Sequence, residues 1–158
     1  MCRAGAHRTK VVPSGQREYH LCGIGSPTRR TRFSLVEHRF DPRALAAPMH
    51  PHRNEDEYSY IVEGRMGAVL GGEEVFGEKG DLVFKPRNQW HTFWNAGDEP
   101  LVVLERISPA GLEQLFRSFA GLTGFPDPEA LQEMAAPYGC EADFEATVPI
   151  VARHGLVF

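Results

Sequence analysis

From Thr31 to Phe40 the chain alternates, with Phe33 and Leu35 on one face and Val36, His38 and Phe40 on the other, which predicts a strand covered on both sides. Tyr58 to Val62, Met66 to Leu70, Glu73 to Phe76, Asp81 to Phe84, His91 to Trp94 and Leu101 to Ile107 read as further short strands. Turn clusters separate them at Glu63-Gly64, Gly71-Gly72, Gly77 to Gly80, Pro86 to Gln89 and Asn95 to Pro100. Gly71-Gly72 is a two-residue hairpin connection of the kind whose turn needs positive φ. Strand after strand with no helix between them predicts an antiparallel barrel or sandwich.

After Ile107 the period changes. Ser108 as cap and Pro109 as first residue predict a helix whose Leu112, Leu115, Phe116 and Phe119 form one stripe. Asp127-Pro128 opens a second, with Leu131, Met134, Ala135 and Tyr138 on one side and Gly139 as its stop. A third, short helix is expected from Pro149 to His154. One-sided helices of this kind pack on something, here the strands that precede them. Residues 1–30, rich in Gly, Pro, Ser and Arg, read as a loosely held arm with one short strand near Tyr19 to Cys22. Gly23 and Gly25 form a plain turn, because no third glycine, lysine or helix follows to make a phosphate loop. The expected division is an arm over 1–30, a β-barrel over 31–107 and a helical segment over 108–158.

Composition narrows the classes. At 158 residues the chain reads as one domain, long enough to bury a core without disulfides. A net charge of −4 offers nucleic acid no general attraction, and the run Arg29, Arg30, Thr31, Arg32 reads as a solvated loop. Three scattered cysteines, Cys2, Cys22 and Cys140, with no CxxC pair, fit a reducing cytosol, so a cytoplasmic location is expected. The first residues have no apolar central region of a signal peptide, and no apolar run reaches the ~20 residues of a membrane span.

The chemistry centres on His50 to Gly64, HPHRNEDEYSYIVEG. His50 and His52 are two apart and share a face of an extended strand. Glu57 is five residues further, an odd separation, so the polar stretch Arg53 to Asp56 must fold back to bring its carboxylate to the histidines. His91, opening a strand after the turn Pro86 to Gln89, is the fourth ligand candidate.

Together the segments read His50-x-His52, four residues, Glu57, six residues, Gly64, and later Gly80, five residues, Pro86-x-Asn88, two residues, His91, three residues, Asn95. This resembles the cupin superfamily in both of its motifs, with 15 residues between Gly64 and Gly80 as a short inter-motif loop. Asn88 stands where the second motif usually has glycine. Asn is the non-glycine residue that best tolerates positive φ, so the turn is expected to form.

The resemblance covers about Thr31 to Ile107. It implies an all-β core, a cupin-type antiparallel β-barrel (double-stranded β-helix or jelly roll) with the C-terminal helices packed on it. It also implies one metal ion, carried by His50, His52, Glu57 and His91. Three imidazoles and a carboxylate suit divalent Fe, Mn, Ni, Co or Zn. Glu57 is also placed to take a proton beside an open metal position, which makes it the candidate catalytic residue. Ala46, Pro48, Ser59, Ile61 and Phe93 share faces with the ligands and are expected either to line an apolar cavity or simply to fill the barrel. Tyr58, Tyr60, Trp90 and Trp94 take the opposite face, beneath the helices or in a subunit contact. Asn95 reads as a strand end, and His38, Glu105 and Arg106 as candidates to support the ligands.

The chain looks like small single-domain cupins described as quercetin-dioxygenase-like, including the Pro-Ala-Gly after the last strand. The resemblance implies a metal-dependent dioxygenase acting on a small apolar or aromatic molecule. The alternatives are a non-enzymatic small-molecule-binding cupin and a sugar isomerase or epimerase. It also implies a homodimer.

Overall fold

The computed structural model describes residues 10–11, 17–21, 32–119, 122 and 126–157. The expected turn at Gly23 and Gly25, the residue Cys22 and most of the basic run at Arg29 to Arg32 lie outside the described residues.

Nine strands are described: β1 (Lys10–Val11), β2 (Arg17–Leu21), β3 (Ser34–Phe40), β4 (Asp56–Glu63), β5 (Arg65–Leu70), β6 (Glu73–Glu78), β7 (Leu82–Lys85), β8 (His91–Asn95) and β9 (Leu101–Ser108). They fall within a residue or three of the alternating segments. All pairings are antiparallel, in a six-stranded sheet of order β1-β2-β3-β9-β4-β7 and a three-stranded sheet of order β6-β5-β8. Short strands β1 and β2 thus extend the edge beside β3 rather than standing apart.

The expected closed barrel is corrected to two facing sheets. Among the described residues β7 pairs only with β4 and β6 only with β5, so no continuous ladder joins the sheets. Apolar packing holds them instead: Phe40, Ile61, Leu101 and Val103 from the large sheet meet Met66, Ala68 and Phe93 from the small one.

The turns behave as their residues dictate. Gly71 and Gly72 take φ of +59° and +92° between β5 and β6, and Asn88 takes φ of +64° in the place of a glycine. Asn95 closes its strand by donating from Nδ2 to the carbonyls of Phe40 and Glu99 while Oδ1 accepts from Gly97.

Three α-helices follow: α1 (Glu113–Ser118), α2 (Pro128–Ala135) and α3 (Phe144–His154). The second starts as its sequence indicates, with Asp127 accepting from the Ala130 amide and Pro128 first in the helix, and Gly139 ends the 3-10 turn that continues it with φ of +70°. The other two are corrected. Ser108 remains in β9, paired with Asp56, so α1 begins only after Leu112. The third starts at Phe144, capped by Asp143 accepting from Ala146, and carries Pro149 inside it. Trp94 lies under α3, stacked on His154 at 4.6 Å, whereas Tyr60 and Trp90 stay exposed. No helix among the described residues is long and apolar enough to cross a membrane.

Candidate metal centre

The segment between β3 and β4 carries two of the histidines along the end of the small sheet. His50 and His91 exchange both backbone hydrogen bonds, at 3.0 Å each, which fixes their side chains as neighbours. His52 follows in the same extended segment, with its carbonyl accepting from the Asn88 amide at 2.7 Å. The C-terminal helical segment clamps the outer side, through the bridge His52 to Cys140 and the hydrogen bonds of Met49 with Asp143 and Thr147. Glu57 comes from the other sheet, where the fold-back at Arg53 to Asp56 delivers it to β4.

These elements bring the four sequence candidates together. The ligand nitrogens of His50, His52 and His91 lie within 4.8 Å of one another, and the Nε2 atoms of His50 and His52 are 3.1 Å apart. Glu57 touches two of the three, with Oε1 3.3 Å from His52 Nε2 and Oε2 3.5 Å from His91 Nε2. The outer ring nitrogens fix the tautomers. His50 Nδ1 donates to the Pro48 carbonyl at 2.7 Å and His91 Nδ1 to the Gln89 carbonyl at 2.9 Å, so a neutral ring in either place turns an Nε2 lone pair inward. His52 Nδ1 lies 3.0 Å from the Cys140 sulfur.

This donor set fits a cation. His91 Nε2 is buried with no hydrogen-bond partner, and three imidazole nitrogens facing one another need a positive charge or a proton among them. Burial, reinforced by the charges of His91 and His52, holds His50 well below its ordinary value, and burial likewise lowers His91. For His52 burial acts downward, but the Glu57 charge and the hydrogen bond with Cys140 overcome it and lift the group to about 10. Glu57 is held well below the usual carboxylate range against its own burial by His52 and Lys85. Two neutral imidazoles and an ionised carboxylate are the protonation states that ligation requires.

Sequence reasoning missed Lys85. The expected strand Asp81 to Phe84 stopped short of it, yet it ends β7 directly opposite Glu57 with its side chain fully buried. Its Nζ contacts Glu57 Oε2 at 2.9 Å and also Oε1 of Glu105. Glu105 in turn accepts from Ser59 Oγ at 2.6 Å, and its Oε2 is 3.3 Å from His38 Nε2. His38 and Glu105, expected as supports, belong to this network, whereas Arg106 points outward between the rings of Phe33 and Tyr58. No sequence signal marks Lys85, because the preceding Leu82, Val83 and Phe84 are all apolar and do not show which face turns inward.

The centre opens on a cavity of about 90 Å³. Ala46, Pro48 and Phe93 line it as expected. Ile61 and Ser59 do not, since Ile61 fills the core and Ser59 is spent on Glu105. One wall was not foreseen: Leu112, Leu115, Phe116 and Phe119 around α1, with Leu131 and Ala135 of α2, line the cavity together with His50 and His52. The apolar helix stripes therefore pack against the strands, and in doing so wall in the site.

Comparison with known proteins agrees with the architecture. Residues 36–106 match the cupin domain family model. The chain is 38% identical over 60 residues to the tetracenomycin polyketide synthase protein TcmJ of Streptomyces glaucescens, which is 38% of this chain and 40% of that one. It is 36% identical over 94 residues to the oxidoreductase iacF of Pestalotiopsis fici, 54% of this chain and 46% of that one. The chain thus spans less than half the length of the curated relatives it matches. An RmlC-like cupin from Shewanella frigidimarina superposes with a TM-score of 0.58 at 21% identity, over 71% of this chain and 93% of the other. A predicted oxalate decarboxylase from Thermotoga maritima gives 0.57 at 19%, over 67% and 95%. At such identities the likeness is one of fold. Residues 36–106 thus match the cupin domain model, and the described residues have the cupin fold, two antiparallel sheets with a few helices added after them.

Proposed function

We propose that the protein is a metal-dependent cupin in which His50, His52, His91 and Glu57 hold one divalent ion (Fe, Mn, Ni, Co or Zn). The ion faces a cavity that takes a small apolar or aromatic molecule, and the reaction class is dioxygenase-type oxidation. The observation that carries the reading is the convergence of three imidazole nitrogens, with His50 and His52 on the wall of a mostly apolar cavity and His91 buried behind them. The names of two relatives, an oxidoreductase and a polyketide synthase protein, support an oxidative reaction and a polyketide-related small molecule.

The chain's own residues have separable tasks. A bound ion would supply Lewis acidity and, when redox-active, electron transfer. Phe93, Ala46 and Pro48 give the ligand an apolar seat, and the apolar helix side chains make up the rest of its wall. Glu57, on leaving the ion, takes a proton from the ligand through Oε1, the oxygen that Lys85 does not hold.

Metal analysis of protein from unsupplemented cells, beside His91→Ala, tests the centre; equal and negligible metal in both sinks it. Dioxygen uptake with flavonols and diketones tests the reaction class. Full turnover of Glu57→Gln with metal bound removes the proposed proton transfer.

A second reading, metal-independent isomerisation by proton transfer, is favoured by His38 paired with Glu105 on the wall of the same cavity. Exchange of deuterium from solvent into a ligand without dioxygen uptake would select it. The proposal includes a cytoplasmic homodimer that uses the exposed Tyr60, Leu82 and Phe84 on the outer face of the large sheet. A monomer in sedimentation equilibrium would remove that element.

A further inference from the structure

Lys85 is the least expected charge in the molecule, a lysine whose side chain has no solvent exposure at all. Its ammonium lies over the Phe93 ring at 4.5 Å and reaches two buried carboxylates, Glu57 and Glu105. Glu105 is itself tied down, by Ser59 Oγ on one oxygen and His38 on the other. On the inward face of the large sheet these residues form one connected chain, His38 on β3, Glu105 on β9 with Ser59 opposite it on β4, and Lys85 on β7 opposite Glu57 on β4. This chain of contacts ends on the two oxygens of Glu57, which have different surroundings. Oε2 meets Lys85 at 2.9 Å and, more distantly, His91 Nε2 at 3.5 Å, whereas Oε1 meets only His52, at 3.3 Å, among these groups.

We propose that Lys85, anchored by Glu105, is a positioning residue that captures Oε2 of Glu57, so that the carboxylate offers the metal one oxygen only. The inference rests on the metal-binding reading above. A carboxylate is free to chelate a divalent ion through both oxygens, and doing so here would require breaking a fully buried ion pair. Single-oxygen ligation lowers the number of positions the protein fills and keeps an adjacent one for a ligand from the cavity. Plain charge balance for two buried carboxylates is the competing explanation, and it predicts no change in how the ion is ligated.

The test uses Co(II) as the probe, because its visible absorption weakens as coordination number rises. Lys85→Met leaves Glu57 and Glu105 buried without their cation, so the decisive variant is Lys85→Met with Glu105→Leu, which removes the pair together. Expected for wild type is one bound Co(II) with a distinct visible band. In the double variant Glu57 is free to chelate, Co(II) stays bound, and the band falls about twofold or more. Lys85→Met alone should shift the same way where it folds. Identical spectra with Co(II) bound in wild type and double variant overturn the inference and leave the metal site standing. Loss of Co(II) from a double variant with unchanged circular dichroism also overturns it, since a freed Glu57 should bind no more weakly. Failure of wild type to bind Co(II) removes the metal reading and this inference with it.

Discussion

A cation that binds the folded centre and not the unfolded chain must raise the melting temperature, and His50 gives the cleanest way to remove that effect. The donors are spread over His50, His52, Glu57 and His91, which are brought together only by pairing His50 with His91 and folding Glu57 back from β4. The unfolded chain therefore has no equivalent site. With free metal at about 100 times Kd, linkage gives about 2.7 kcal/mol of stabilisation. For a chain of this size a kcal/mol moves the transition by about 2–4 °C, so saturating metal should raise it by about 5–11 °C. His50→Ala removes an imidazole that sits 3.1 Å from His52 and is less buried than His52 or His91, so its packing loss should be small. Differential scanning calorimetry of metal-stripped wild type and His50→Ala, with and without Mn, Fe, Co, Ni or Zn, reads both quantities. The reasoning is refuted if none of the metals moves the wild-type transition, or if His50→Ala shifts by the same amount.

Gly64 has φ of +83°, and a Cβ there would lie 2.6 Å from the Pro100 carbonyl oxygen and 2.9 Å from Leu101 Cα; Gly64→Ala should therefore cost about 2–6 kcal/mol of strain and overpacking, read from the urea midpoint. Leu112→Ala, at a position 1% exposed on the cavity wall, should cost about 2–5 kcal/mol and enlarge the cavity, and an unchanged midpoint would remove Leu112 from the wall's support. The Arg87 side chain hydrogen-bonds to Asp56 and lowers its carboxyl to about 2, so the pair stabilises the fold above the unfolded value near 3.9. That contribution is lost as pH falls through 2. Wild type should exceed Asp56→Asn in stability at pH 6 and converge with it below pH 2, and a constant difference across that range would remove the pair's role.

Much of this was legible because β-structure repeats every two residues and turns demand particular backbone angles. Val36, His38 and Phe40 alternate inward, Gly71-Gly72 makes the hairpin, and Asn88 takes the positive φ its place in the turn requires. The histidines were legible as a set because their spacing resembles both cupin motifs. Lys85 was not, since a lysine next to a proline turn is ordinarily solvated, and only the pairing Glu57 with Lys85 shows that it is buried against opposite charge. The starts of α1 and α3 were missed for a related reason. Proline favours a first turn but does not choose one: Ser108 was retained by its pairing with Asp56, and Asp143 capped ahead of Pro149. Nor could local pattern show that the helix stripes enclose the site, because which surface a stripe meets is decided by tertiary packing.

The two sheets contribute unequally to the centre: His50 and His91 belong to the small sheet's edge, and Glu57 to the large one. The gap between donor atoms is therefore the gap between the sheets, set some residues away where Phe40 meets Phe93 edge to face with ring centroids 5.4 Å apart. Phe40 and Phe93 act as spacers, and their bulk sets the separation between the imidazoles and the carboxylate of the proposed metal centre. If the proposed ion is held there, trimming or enlarging either ring would retune the distance from imidazole to carboxylate without changing a ligand, and ion selectivity would be adjustable from the hydrophobic interior.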